Sequence, residues 1–151
     1  MSELALVRTD SSNPDFRELV VLLDADLRIR DGDEHAFYAT YNTIDAIGHA
    51  VVAYLDNIAV GCGAFKAYAD TTAEIKRMYV RPELRGRGIA GALLAELERW
   101  ATESGYAVCI LETGKKQPEA IRLYQKSGYV LIPNYGQYEG IENSVCMRKT
   151  L

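Results

Sequence analysis

Apolar positions recur along the chain in two different periods, and the change between them outlines its elements. Leu4 to Val7 reads as a short opening strand. Asn13-Pro14 has the form of a helix N-cap followed by proline at the first helical position. Phe16, Leu19, Val20, Leu23 and Leu27 then repeat at helical spacing until Asp31-Gly32 ends the run. A weaker helical stretch covers Glu34 to Thr43 and carries Phe37, Tyr38, Tyr41 and Asn42. Val51–Leu55, Ile58–Tyr68 and Glu74–Val80 are short and β-branched or aromatic, and Asp56-Asn57 and Ala69-Asp70-Thr71-Thr72 join them. That pattern predicts an antiparallel meander.

After Arg81-Pro82 the helical period returns. Ile89, Ala90, Leu93, Leu94, Leu97, Trp100 and Ala101 mark one face of an amphipathic helix, with Glu96, Arg99 and Glu103 opposite, and Ser104-Gly105 stops it. Ala107–Leu111 reads as a buried strand. Pro118 opens a further helix through Ala120, Ile121 and Tyr124, which Gly128 caps. Tyr129–Ile132 and Ser144–Met147 are closing strands on either side of the loop Pro133–Asn143. The order β-α-α-β-β-β-α-β-α-β-β predicts an α+β fold, a mixed sheet with helices on its faces. No repeat, linker or low-complexity segment interrupts it.

Composition narrows the class. The chain of 151 residues suits one domain spanning 1–151, and a charged fraction of 25% excludes wholesale disorder. A net charge of −4 argues against non-specific nucleic-acid binding and would attract cationic partners such as amines. No signal peptide and no run long enough to cross a bilayer is present in the sequence, so a cytoplasmic protein without membrane or nucleic-acid partners is expected. Cys62, Cys109 and Cys146 lack metal or disulfide spacing and read as small buried hydrophobes. His35 and His49 likewise lack metal-ligand spacing, and no metal is expected.

Candidate chemistry concentrates in Arg85-Gly86-Arg87-Gly88-Ile89-Ala90-Gly91, which follows a strand and opens a helix. Glycines there let a ligand approach the backbone, and a helix N-terminus favours an anion. Arg85 and Arg87 add charge suited to phosphate oxygens. A Walker A loop is excluded, because no Gly-Lys-Ser/Thr follows. Gly86, Gly88 and Gly91 satisfy G-x-G-x-x-G, with Glu112 downstream, but a Rossmann fold does not fit. Arg81 to Arg85 separate the strand from the first glycine, the strand itself carries Glu74, Lys76 and Arg77, and the upstream half is a meander.

Arg85-x-x-Gly88-x-Ala90 resembles motif A of the GNAT superfamily of N-acetyltransferases. Glu74 to Glu83 is similar to that family's strand β4 and following turn, and Ala120 to Tyr129 is similar to its motif B. Gln117 stands where the family often has Asn. The resemblance implies a mostly antiparallel sheet splayed between its fourth and fifth strands. It also implies acetyl-CoA as donor, bound by Met78, Tyr79 and Val80 along the pantetheine arm and by Arg85, Gly86, Arg87, Gly88, Ile89 and Ala90 at the pyrophosphate, with Gln117 and Tyr124 nearby. Tyr124 matches the tyrosine that acts as general acid, and Glu74 matches the glutamate that serves some members as general base. Strand alternation places Glu74, Lys76 and Met78 on one face and Ile75, Arg77 and Tyr79 on the other, and the default for Lys76, Arg77 and Lys115-Lys116 is a solvated face.

The resemblance puts the acceptor between the first helices and the segment joining the last two strands, which offers Tyr38 and Tyr41 on one side and Tyr135, Tyr138 and Glu139 on the other. The expected function is acetylation of a primary amine of a small molecule by direct attack in a ternary complex. Acetylation of protein lysines or N-termini is the alternative, and a non-catalytic acyl-CoA sensor is the alternative of another class. A homodimer stays open.

Overall fold

A computed structural model describes residues 3–31 and 47–151. The expected helix over Glu34 to Thr43, with Tyr38 and Tyr41, lies outside the described residues, as does His35. The described elements run β1 (Leu4–Thr9), α1 (Pro14–Asp31), β2 (His49–Leu55), β3 (Ile58–Ala69), β4 (Thr72–Val80), α2 (Ile89–Glu103), β5 (Val108–Gly114), α3 (Pro118–Lys126), β6 (Val130–Ile132) and β7 (Ser144–Thr150). Short 3₁₀ turns occupy Pro82–Leu84 and Gly136–Tyr138.

Local chemistry accounts for the boundaries. Asn13 caps α1, its Oδ1 accepting from the Asp15 and Phe16 amides at 2.8 and 3.4 Å. Phe16, Leu19, Val20 and Leu23 are the buried stripe of that helix. Asp56 and Asn57 both take positive φ, 52° and 67°, between paired Leu55 and Ile58, as a two-residue hairpin turn requires. At the end of α3, the Tyr129 amide bonds the Tyr124 carbonyl and the Gly128 amide that of Gln125, a Schellman closure that needs Gly128 at φ 99°.

The strands form one seven-stranded sheet in the order β1-β2-β3-β4-β5-β7-β6. Every pairing is antiparallel except β4 with β5. One face carries α2 and α3 over a core that includes Phe65, Leu93, Leu97, Leu111 and Met147. The other carries α1 over Phe16, Leu19, Val52, Cys62 and Tyr79. Several strands run longer than the sequence pattern predicts. β5 continues past Leu111 to Gly114 because β7 pairs with it to Ser144. No helix among the described residues is long and apolar enough to cross a membrane.

Two irregularities shape the middle of the sheet. The parallel ladder between β4 and β5 has only the pairs Thr72–Val108, Ala73–Cys109 and Glu74–Ile110, after which the strands separate. Beside that gap β4 is bulged. Cys62 faces Tyr79, yet Ala64 faces Lys76, so β4 holds one extra residue, and Arg77 there has φ 62°. The bulge corrects the expected alternation. Arg77 joins Lys76 and Tyr79 on the α1 face, where it meets Asp24, while Met78 packs with Ile75 and Val80 on the α2 face.

Facing glycines and a thiol accommodate the bulge. A Cβ on Gly63 would lie 2.5 Å from Met78 Sδ and 2.7 Å from Leu97 Cδ1, and one on Gly61 would lie 2.9 Å from the Tyr79 carbonyl oxygen. The Cys62 thiol donates to the Arg77 carbonyl at 3.3 Å, and burial pushes that thiol up to about 12, so it keeps the proton it donates. All three cysteines are buried, as expected of small hydrophobes.

Candidate active site

Where β4 and β5 part, a cleft of about 370 Å³ opens through the sheet. Its floor and walls come from Ile75 to Val80 of β4, Glu112 to Gly114 of β5, the loop before α2, and Gln117, Ala120, Leu123 and Tyr124 at the start of α3. Leu23, Asp26 and Leu27 of α1 close it on one face, together with Tyr138.

One end is built for an anion. Gly86 and Gly88 sit at φ 83° and 82°, and a Cβ on either would meet nothing within 4 Å, so the ground above the loop is open. Gly88 caps α2 without a side-chain bond, and the first turn of α2 holds no acidic residue. Its leading N–H groups therefore face outward at the positive end of the helix dipole. These features fit the pyrophosphate of an acyl-CoA, and the apolar walls between the strands fit its elongated arm.

The two arginines of the loop divide their roles. Arg85 donates from Nε to the Val80 carbonyl at 2.9 Å and lies 5.5 Å above the Tyr79 ring, tying the loop to the end of β4. It still lines the cleft, whereas Arg87 is exposed and outside the lining.

The opposite end is polar and largely buried. Glu74 is 3% exposed, and its Oε2 accepts from the Tyr135 hydroxyl at 2.7 Å, while Lys66 stands 3.9 Å from Oε1. Burial and this neighbouring carboxylate raise the Tyr135 phenol. Lys76 is half-buried, donates to the Tyr138 hydroxyl at 3.5 Å, and is lowered by desolvation. Arg77 is buried against Asp24 at 3.3 Å. The default of a solvated face for Lys76 and Arg77 is thus corrected: Lys76 faces the α1 side opposite Ala64, and the bulge turns Arg77 to the same side. Tyr124 is buried near Tyr129, ring centroids 5.8 Å apart, and desolvation raises its phenol, with Glu112 adding to the effect.

Of the expected acceptor residues, Tyr138 lines the cleft and is 1% exposed. Tyr135 stands behind it as the partner of Glu74, ring to ring with Tyr138 at 5.7 Å. Glu139 is exposed and lies off the cleft. Asp26 and Glu112 are lining residues that the sequence pattern did not assign to a donor or acceptor site. Asp26 interrupts the apolar stripe of α1 between Leu23 and Leu27, a signal that was visible in the spacing. Among the described residues no group of His, Cys, Asp and Glu is arranged to hold a metal.

Comparison with known proteins agrees with this architecture. Residues 15–129 match the sequence profile described as the Acetyltransferase (GNAT) family. The chain is similar to the IAA acetyltransferase of Azospirillum brasilense, 38% identical over 104 residues, which are 67% of this chain and 67% of that protein. A Klebsiella pneumoniae protein described as an acyl-CoA N-acyltransferase superposes with a TM-score of 0.82 at 29% identity, over 98% of this chain and 97% of its own. The PaiA N-acetyltransferase of Thermoplasma acidophilum, solved in complex with coenzyme A, shares the fold at a TM-score of 0.73 and 17% identity, covering 99% of each chain.

Proposed function

The chain belongs to the GNAT acetyltransferase family, and from that premise we propose that it transfers an acetyl group from acetyl-CoA to a primary amine of a small molecule, by direct attack in a ternary complex. The observation that carries the reading is the cleft beyond Glu74–Ile110, which joins an anion-binding helix terminus to a buried carboxylate and a buried phenol. Acetyl-CoA supplies the thioester, an activated acyl carbonyl with a thiol leaving group.

The loop amides from Arg85 to Ala90 take the pyrophosphate oxygens, and the backbone of Met78 to Val80 lies along the arm. The backbone of Met78 to Val80 lines the cleft beyond the end of the β4–β5 ladder, and its N–H groups there stabilise the developing oxyanion. Glu74 accepts the proton of the attacking amine, and the Tyr135 hydroxyl fixes its orientation. Tyr124 gives a proton to the departing sulfur. A thiol with an ordinary pKa of about 8.5 leaves moderately well unaided, so that proton contributes a limited factor. Cleft walls contributed by α1 and Tyr138 suit a small acceptor, which favours a free amine over a protein lysine.

The test is thiol release from acetyl-CoA across amines, amino acids, polyamines and peptides. Turnover on small amines supports the proposal. Tight acetyl-CoA binding with no turnover on any amine would replace it with the sensor reading, and turnover on peptides alone would replace it with protein acetylation.

A further inference from the structure

We infer that the acceptor is a small zwitterion, an amine that also bears a carboxylate, and that Lys76 and Arg77 select it. This rests on the N-acetyltransferase reading and adds the chemical class of its acceptor.

In a regular strand, neighbours such as Lys76 and Arg77 point to opposite faces. The bulge, with Arg77 at φ 62°, places both on the α1 face instead. There Lys76 reaches Tyr138 and Arg77 reaches Asp24, and both cations line the cleft. Val52, Cys62, Ala64 and Tyr79 give this face an apolar core, and Glu74 with Lys66 adds charge at its other end.

The pair is also incompletely satisfied. The Arg77 side chain is 2% exposed, its ion partner Asp24 is 44% exposed, and among the described residues the buried Nε has no hydrogen-bond partner. Burying a cation without a full set of acceptors is costly, and two adjacent cations repel. A ligand carboxylate relieves both: it fits the planar guanidinium fork and adjoins the ammonium of Lys76. Counter-charge for the amine end is present as well. Glu74 and Glu112 line the same cleft and both act electrostatically on Lys76. Walls of one sign would suit a plain amine or a plain acid. Walls of both signs suit the two groups on one molecule.

Matched acceptors test this by thiol release from acetyl-CoA. Short α- and ω-amino acids are compared with the same molecules decarboxylated, amidated, or carrying phosphonate in place of carboxylate. The carboxylate member should show kcat/KM higher by roughly 10–100-fold than its decarboxylated partner. Lys76→Met and Arg77→Lys should each move that ratio toward one, mainly through acceptor KM, with acetyl-CoA affinity by calorimetry unchanged. Arg77→Lys keeps the buried charge, so its effect reads the guanidinium fork and not a loss of folding. A merely structural role would lower both members of a pair together and leave the ratio intact. Decarboxylated amines used as well as the acids would overturn the inference while the N-acetyltransferase reading stands, and a preference for phosphonates would overturn the carboxylate assignment. Absence of turnover on every acceptor would overturn both.

Discussion

Tyr124 and Glu74 differ in what their surroundings do to them, and that difference makes their roles separable. Desolvation raises the Tyr124 phenol, so the hydroxyl keeps its proton through the neutral and mildly alkaline range. Tyr124→Phe should lower kcat about 10–100-fold and leave acetyl-CoA affinity within about twofold. The deficit should be constant from pH 7 to about 9.5, since nothing titrates there on Tyr124. A wild-type alkaline limb that vanished in the variant would contradict this. Glu74→Gln keeps an acceptor for the Tyr135 hydroxyl but cannot take a proton. Its deficit in kcat/KM should shrink about tenfold per pH unit as the solution approaches the acceptor's own pKa, because the amine then arrives neutral. A deficit flat with pH would make Glu74 a binding residue. A lysine-type amine is about one-thousandth neutral at pH 7.4, which sets the scale of the effect at roughly 4 kcal/mol.

At the scale of elements, the bulge in β4 organises the site. It puts Arg77 beside Lys76, sends Met78 to the α2 face, and depends on Gly61 and Gly63 across the ladder. Gly61→Ala should destabilise the protein by about 1–3 kcal/mol, because the new methyl meets the Tyr79 carbonyl and Leu93, and neither can retreat without moving packed structure. Chemical denaturation checks it; an unchanged midpoint would show that the strand yields freely. This is also where the sequence was least legible. The helices could be read because apolar period, N-cap and glycine cap agree at Asn13, Leu93 to Ala101 and Gly128. The glycine loop could be read because Gly86 and Gly88 mark backbone at positive φ. The bulge could not: Arg77 adopts positive φ without being glycine, and the permissive glycines lie on the neighbouring strand. Strict alternation therefore misassigned every side chain beyond Lys76. The true length of β5 was hidden for a related reason, since β7 extends it by pairing and not by hydrophobicity.

For the whole molecule, the parted strands divide the sheet into β1 to β4 and β5 to β6, joined by the short parallel ladder at one end. A ligand that touches β4, β5 and α2 together binds the folded state alone. At a hundredfold excess over its Kd, acetyl-CoA should add about 2.7 kcal/mol of stability. For a chain of this size that corresponds to a rise in Tm of roughly 5–10 °C. Gly88→Asp should abolish the rise, because its carboxylate opposes the pyrophosphate, and should also cost the unliganded protein about 1 kcal/mol for a side chain at φ 82°. An undiminished rise would remove the loop from the binding site. The same division has a consequence for solubility. An ordinary open sheet exposes two unpaired margins, at its first and last strands. This one has two more, facing each other inside the fold, where the backbones of β4 and β5 leave the ladder after Glu74 and Ile110. Such margins invite pairing with foreign chains. Here residues of α1 and the loop bearing Tyr138 line one side of the cleft and residues of α2 and α3 the other, so both margins are flanked by side chains along their length. The margins that a ligand would meet are thus the ones an ordinary sheet would leave bare.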